Sequence, residues 1–197
     1  MDNATRSERT RQAGIQAALT IVSRDGPKQL TFEAMARESG ISKGGLMHQF
    51  PNKGAVLKAL LDHQIEHFER FSGAYLASAG DSLAEPTLAA QLATLREAVT
   101  TPAAITAAIL AVLAEDPNLL AASRASSVEK VRSIAAEAAD ADLSLLRWSA
   151  AQGLVLSALF GLCPFTEEQR TRLFDRLQDD SQWPAARPKT IRRKRSS

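Results

Sequence analysis

The sequence predicts an all-α protein of about nine helices, in which a three-helix head is joined by one long helix to a helical body. Apolar residues recur three and four positions apart along most of the chain, the spacing of one helix face. Thr101-Pro102 and Asp116-Pro117 each place a capping side chain before a proline, as at the first turn of a helix. No stretch of the body alternates apolar and polar residues, so no β-strand is predicted.

Composition predicts a folded protein of a reducing compartment. The 197 residues are 45% hydrophobic, which is enough for a proper core. The single cysteine, Cys163, excludes an intrachain disulfide and a cysteine metal cluster, and at the end of an apolar run we expect it to be buried. The polar N-terminus lacks the apolar run of a signal peptide, so we expect a cytoplasmic protein.

Charge is distributed unevenly along the chain. Residues 1–53 hold 8 Lys and Arg against 5 Asp and Glu, residues 54–183 hold 10 against 17, and residues 184–197 hold 6 against none. Two basic ends therefore flank an acidic middle. A polyanion such as a nucleic acid would bind at the ends.

The head is predicted from helix start and stop signals near the N-terminus. A first helix over residues 6–24 ends at Asp25-Gly26-Pro27. Thr31 can cap the next helix, because its hydroxyl can accept a hydrogen bond from a backbone N–H in the first turn. Gly40 can take the positive φ that ends this second helix.

A third helix follows the turn at once. Ser42 is its expected N-cap, Leu46 and Phe50 are its buried residues, and Pro51 stops it. Two short helices joined by a tight turn have the geometry of a helix-turn-helix, whose second helix enters the major groove of DNA by its N-terminal residues. The residues expected to face outward are Lys43, Gly44, Gly45, Met47, His48 and Gln49.

The third helix and the turn after it, from Ser42 to Lys53, read Ser-Lys-Gly-Gly-Leu-Met-His-Gln-Phe-Pro-Asn-Lys. This stretch resembles the DNA-binding domain of TetR-family transcriptional regulators, whose pattern there is roughly Ser-Lys-Gly-Thr-Leu-Tyr-His-His-Phe-Pro-Ser-Lys. The resemblance covers about residues 8–67. The chain departs from the pattern at Gly45, Met47 and Gly54, where Thr, a phosphate-contacting Tyr and Glu are usual.

The resemblance implies a homodimeric, ligand-responsive repressor that binds a near-palindromic DNA operator and carries no cofactor. Its two heads would present the third helix to successive major grooves about one helical turn, or about 34 Å, apart. An effector bound to the body would release the DNA. The residues predicted to contact DNA are Thr31, Ser42, Lys43, Gly44, Gly45, Met47, His48, Gln49 and Lys53.

These residues differ in what they would do on DNA. Thr31 and Lys53 are expected to bind phosphates without reading sequence. Direct readout of bases would come mostly from Lys43, His48 and Gln49. Met47 can offer only apolar contact, for instance to a thymine methyl.

Three regions are predicted along the chain. The DNA-binding domain spans residues 1–67, and the effector-binding and dimerisation domain spans residues 68–183. Within them, one long helix from Lys53 bridges head and body, and a turn-rich linker follows at Ser78 to Pro86. Residues 184–197 are too charged to pack and are expected to form a disordered basic tail. The tail would either add nonspecific phosphate contacts or only keep the protein in solution.

The stretch from Asp142 to Cys163 predicts a helix, and residues 148–166 carry no charge. Polar and small residues interrupt this run, which disfavours a membrane span. We expect a helix buried on most sides, partly by a second copy of the chain. Thr166 to Gln169 has the form of a capping box for a last helix. These two helices resemble the pair through which the family dimerises, which implies an interface of Trp148, Gln152, Leu156, Leu159, Phe160, Leu173, Phe174 and Leu177.

Aromatic residues supply material for an effector pocket in the body. The resemblance implies an apolar cavity between helices for a small, lipophilic molecule. For each residue a place in the core is the alternative role, and the sequence names no ligand. The residues predicted for the pocket are Phe68, Phe71, Tyr75, Trp148 and Phe160.

An enzyme is the alternative function. His63, Glu66 and His67 have the spacing of inverted zinc peptidases, as in an intracellular zinc-dependent hydrolase. On an ideal helix, however, both histidines lie well away from the centre of the apolar face, near solvent. A catalytic zinc also needs a third protein ligand and a pocket that excludes water, and His48 is the only other histidine. We therefore expect neither a metal nor an enzymatic activity.

Overall fold

The computed structural model describes residues 3–79, 82–102, 104–106, 108 and 120–184, and within these residues every regular element is helical. The predicted fold class is thereby confirmed. The start at Asp116-Pro117 and the tail from residue 185 lie outside the described residues. Residues 104–106 and 108 are also helical, and short 3-10 helices occur at Pro27–Gln29 and Asp180–Gln182. The α-helices are α1 (Asn3–Asp25), α2 (Phe32–Ser39), α3 (Lys43–Gln49), α4 (Lys53–Ala79), α5 (Pro86–Ala98), α6 (Leu120–Glu137), α7 (Ala141–Leu159) and α8 (Glu167–Gln178).

Local signals set the beginnings of the two short helices, as predicted. The Thr31 hydroxyl accepts a hydrogen bond from the Ala34 N–H at 3.1 Å, and the Ser42 hydroxyl accepts one from the Gly45 N–H at 3.2 Å. Gly40 ends α2 with a φ of 70°, a conformation that only glycine adopts at little cost. One residue therefore sets each of three points: Thr31 the start of α2, Gly40 its end, and Ser42 the start of α3.

The head has its own apolar core, formed by α1, α2, α3 and the first turns of α4. α1 packs tightly against the end of α3 at Gly14, where a Cβ would lie 2.8 Å from the Phe50 ring and 3.1 Å from the Leu46 side chain. Because no larger residue fits there without a shift, the glycine lets α3 seat against α1. The buried members from these helices and their connections are Ile15, Ala18, Ile21, Val22, Leu30, Met35, Leu46, Phe50, Val56, Leu57, Ala59 and Leu60.

The body has a second core, between α5, α6, α7 and α8. Its buried residues are Leu88, Leu92, Ile134, Ala151, Val155, Phe174 and Leu177. One charged side chain, Arg147 of α7, is only 4% exposed. Its guanidinium donates to the Leu177 carbonyl at 2.7 and 3.1 Å and to the Asp180 carboxylate at 2.6 Å. Arg147 therefore holds the C-terminal end of α8, whose last carbonyls lack partners within the helix.

Head and body are connected by two segments. α4 packs against α1 in the head and against α5 in the body. Ile105 and Ala108, which follow α5 in the chain, are buried in the head core. Within the described residues, α4 and the chain after α5 therefore both link the body to the head.

The apolar run near the C-terminus is helical over a shorter range than predicted. α7 ends at Leu159 and not at Cys163, because Gly161 takes a φ of 67° and turns the chain. The predicted capping box is confirmed: the Thr166 hydroxyl accepts from the Gln169 N–H, and the Gln169 side chain accepts from the Thr166 N–H. None of the described helices combines the length and the apolarity that a membrane span requires.

Candidate nucleic-acid interface

α3 lies at the surface of the head with its apolar side turned inward. Leu46 and Phe50 are completely buried, as predicted, and anchor the helix at its middle and at its C-terminal end. The opposite side is open to solvent. Its exposed residues, which we call the outward face, are Lys43, Gly44, Met47 and His48.

The outward face combines the basic side chains of Lys43 and His48 with the bare backbone of Gly44. A Cβ added at Gly44 would meet no atom within 4 Å, so a ligand can approach the main chain of this first turn closely. Lys43 is the first residue of α3, and His48 lies in its last turn. Met47, 45% exposed, adds a flexible apolar side chain between them. A surface of this kind suits the phosphates and base edges of DNA.

Gly45 is oriented differently from the prediction. It is half-buried, and a Cβ there would lie 3.1 Å from the Ile41 side chain and 3.3 Å from the Ser42 hydroxyl. Position 45 therefore faces the turn rather than the solvent. Ser42 is exposed, and its hydroxyl accepts from the Gly45 N–H in the cap while its O–H remains a donor.

Gln49 is held against α1. Its Nε2 donates to the Ser7 hydroxyl at 2.9 Å, and the side chain is half-buried. The amide that was expected to read a base therefore already has a partner within the head. Ser7 lies 42 residues earlier in the chain, so only the packing of α1 beside α3 reveals this contact.

The two residues predicted to bind phosphates lie at the starts of α2 and α4. Both Thr31 and Lys53 are exposed. The Lys53 ammonium donates to the Pro27 carbonyl at 3.1 Å, which leaves two of its three N–H groups for another acceptor. The Thr31 oxygen accepts from the backbone, while its O–H remains a donor.

Glu33 belongs to this surface although the sequence analysis did not identify it. Its carboxylate lies 2.5 Å from the Lys43 ammonium. The hydrogen bond from Lys43 is the main cause that lowers the pKa of Glu33. The sequence spacing of the two residues does not predict this ion pair, because the pair forms between the first turns of two different helices.

The residues predicted for an effector pocket are only partly placed together. Phe68, Phe71 and Tyr75 are half-buried on α4, whereas Trp148 packs against the body core. Phe160 is 53% exposed at the end of α7. Among the described residues, an open cavity of about 530 Å³ lies in the head, lined by residues of α1, α2 and the connection between them.

The predicted dimer residues divide into three groups by burial. Phe174 and Leu177 belong to the core of their own chain, where burial leaves no surface for a second copy. Trp148 and Leu159 pack partly against that core, and Gln152 and Leu173 are half-buried. Leu156 and Phe160 are exposed, as is Leu146, which the sequence analysis did not include. We call Leu146, Leu156 and Phe160 the apolar stripe of α7.

The histidine pair on α4 lies near solvent. The His67 imidazole is 3.7 Å from Glu97, and Glu66 lies 3.8 Å from Arg70. His63 is half-buried. In the part of the chain that the structure describes, no three His, Cys, Asp or Glu side chains are grouped so as to hold a metal ion.

Cys163 is not in the core, contrary to expectation. It is half-exposed in the connection between α7 and α8, because α7 ends before reaching it. Hydrogen bonding with the Phe165 backbone is the main cause that lowers the pKa of this thiol.

Comparison with known proteins gives two family matches. The family model described as "Bacterial regulatory proteins, tetR family" matches residues 15–60. The model described as "Tetracyclin repressor-like, C-terminal domain" matches residues 69–182. No curated protein matches the chain. The chain is similar to a solved structure titled "Crystal structure of gamma-butyrolactone receptor (ArpA-like protein)", with 22% identity, a TM-score of 0.49, and coverage of 88% of this chain and 99% of that chain.

Proposed function

Because the chain belongs to the tetR family of bacterial regulatory proteins, we propose that it is a repressor that binds a near-palindromic operator and is released by a small lipophilic effector. The observation that carries the DNA-binding part is the outward face of α3. Leu46 and the C-cap Phe50 are buried. The opposite side presents Lys43, Gly44 and His48 to solvent together with Met47. Such a helix has the polarity and the open backbone that a major groove requires.

Phosphate contacts would come from the residues that flank α3. Thr31 and Lys53 lie at the starts of the helices before and after it, and both have donors to offer. Phosphate contacts of this kind fix the position of the protein on the duplex, while contacts to base edges supply specificity. Met47 replaces the phosphate-contacting Tyr of the family pattern, so apolar contact is its expected contribution.

A homodimer would bring two copies of α3 to one operator. The apolar stripe of α7 supports this part of the proposal, since Leu146, Leu156 and Phe160 are each more than half exposed in the single chain. Their burial against a second copy would remove apolar area from water, at about 25 cal/mol per Å². A two-fold axis between the copies makes the operator near-palindromic, with half-sites about 34 Å apart.

Release by an effector would use the two connections between head and body. The half-buried aromatic residues Phe68, Phe71 and Tyr75 lie on α4, which runs from the head core to its contact with α5. A lipophilic molecule that binds beside them better in one position of α4 than in another would shift the population of head positions. Only a differential affinity of this kind lowers the affinity for DNA.

The test of the DNA-binding part is selection of duplexes from a randomised pool by the purified full-length protein. We expect a near-palindromic consensus with half-sites about 10 base pairs apart, centre to centre. Recovery of no common sequence after repeated rounds would contradict the proposed function.

The effector part needs a separate measurement on the selected operator. A panel of lipophilic small molecules would be added to the labelled complex, and release would be followed by fluorescence anisotropy. At least one compound should lower the affinity for the operator, and Phe71→Ala should weaken its effect. If compounds that bind the protein tightly leave the affinity for DNA unchanged, the ligand-responsive part of the proposal is wrong.

A further inference from the structure

The first turns of α2 and α3 meet in an ion pair between Glu33 and Lys43. The Lys43 Nζ lies 2.5 Å from Glu33 Oε1, and the two side chains are 53% and 57% exposed. Surface ion pairs with this degree of exposure add little to stability. The caps and the buried apolar residues already position the two helices, so stability alone does not explain the pair.

The position of the pair suggests a role on DNA. Lys43 is the first residue of α3, and the N-terminal residues of a recognition helix are those that contact base edges. The Glu33 carboxylate accompanies the ammonium to that surface. A carboxylate close to DNA is repelled by the phosphates, so its presence there needs a partner that donates hydrogen bonds.

We propose that Lys43 and Glu33 together read one G·C base pair in each half-site, an inference that rests on the DNA-binding function proposed above. In the major groove guanine presents two acceptors, O6 and N7, and the paired cytosine presents one donor, the N4 amino group. The ammonium would donate to guanine, and the carboxylate would accept from cytosine N4.

The spacing of the two charged groups fits this base pair. Guanine O6 accepts a Watson–Crick hydrogen bond from cytosine N4, so these two atoms lie about 2.9 Å apart. The Lys43 and Glu33 atoms that would face them are 2.5 Å apart. The ion pair can therefore approach the base pair without first separating, and each charged group keeps its partner while it gains a second one.

An A·T pair fits less well, for two reasons. Thymine O4 offers the ammonium a single acceptor in place of the two on guanine. The adenine N6 amino group could donate to the carboxylate, but adenine N7 is an acceptor beside it, and its lone pair would repel the negative charge. Phosphates offer no donor at all, so on nonspecific DNA the Glu33 carboxylate keeps only its contact with Lys43 and gains no second hydrogen bond.

The experiment is operator selection from a randomised pool with three full-length proteins: wild type, Glu33→Gln and Glu38→Gln. Glu38 is the matched control, because it lies on the same helix and is paired at 3.1 Å with Arg24 of α1 and not with a residue of α3. The wild-type consensus should contain G·C at one symmetry-related pair of positions. Glu33→Gln should lose about fivefold of that preference and keep the others, since the neutral amide neither pairs with the Lys43 ammonium nor accepts from cytosine N4 as strongly as the carboxylate. Glu38→Gln should reproduce the wild-type consensus.

Three outcomes would overturn the inference while leaving the proposed function intact. The first is an unchanged consensus for Glu33→Gln. The second is a weakened preference at every position, which would indicate a structural role for Glu33. The third is a change confined to positions where wild type does not select G·C. A wild-type protein that selects no consensus would contradict the proposed function itself, and this inference with it.

Discussion

α3 in the head and α7 in the body distribute their side chains in opposite ways. α3 buries Leu46 and Phe50 and shows a cation, an imidazole and bare backbone to solvent. α7 buries the polar Ser144 and Arg147 beside Ala151 and Val155, and it shows leucine and phenylalanine to solvent. Apart from Met47, the head helix thus buries its large apolar residues within one chain, whereas the body helix leaves several large apolar residues exposed.

This contrast separates two kinds of surface. Hydrated polar groups carry no free-energy penalty, so the outward face of α3 is stable in water without a bound partner. Exposed apolar residues at helical spacing are typical of a surface that another protein covers. The polar residues that α7 does bury are all hydrogen-bonded, Ser144 to Glu85 and Arg147 to Leu177 and Asp180. The buried polar residues of α7 are therefore compatible with the body core. The apolar stripe is the part of α7 that a second copy would cover.

The largest effect should come from placing a charge in the apolar stripe. Leu156→Glu would desolvate a carboxylate at the proposed interface, at a cost of several kcal/mol. We expect a folded monomer in sedimentation, with weakened operator binding. Val128→Glu on α6 is the control, because Val128 and Leu156 are equally exposed at 52%. A dimeric Leu156→Glu protein that binds operator normally would place the interface elsewhere.

The second effect concerns the buried cation of α7. Arg147→Ala removes three hydrogen bonds and leaves the Leu177 carbonyl without its donor. Together with the space left behind, the loss should be about 2–4 kcal/mol of the free energy of unfolding in urea. Arg132→Ala, an exposed arginine beside Glu129 on α6, should change it by less than about 0.5 kcal/mol. Equal unfolding midpoints for Arg147→Ala and wild type would show that the guanidinium does not hold α8.

A smaller effect is expected where α1 meets α3. Gly14→Ala would place a methyl group 2.8 Å from the Phe50 ring, which is fully buried and cannot move aside freely. Overpacking of this kind should cost about 1–3 kcal/mol and shift α3, so operator affinity should fall as well. Gly73→Ala on α4, where a Cβ meets nothing within 4 Å, should leave stability equal or higher. A Gly14→Ala protein as stable as Gly73→Ala would mean that the head core adapts.

Local features of the fold were predictable from the sequence. The caps at Thr31, Ser42 and Thr166 were predicted because a capping residue and the N–H that it accepts from lie three residues apart. The burial of Leu46 and Phe50 followed from helical spacing alone. These signals are contained in a few consecutive residues, so no knowledge of tertiary packing was needed.

Contacts between helices were not predictable in the same way. The Ser7–Gln49 hydrogen bond and the Glu33–Lys43 ion pair depend on how α1, α2 and α3 are stacked. Helical periodicity predicts that Phe174 is buried, but it does not say whether its own chain or a second copy covers it. The burial of Arg147 was not predicted, because charged residues are seldom buried unless they are paired and its partners come from another helix and the segment after it.

The most direct test of the DNA-binding head is the salt dependence of binding by Lys53→Ala and Lys58→Ala. Both lysines are on α4, but Lys53 begins the helix next to α3, whereas Lys58 is paired with Asp62 at 2.8 Å. On both operator and nonspecific duplex, Lys53→Ala should lower the magnitude of the salt slope by about 1 per subunit, because one phosphate contact is lost. Lys58→Ala should match wild type. Equal slopes for Lys53→Ala and wild type would contradict a head that presents α3 and its flanking residues to DNA.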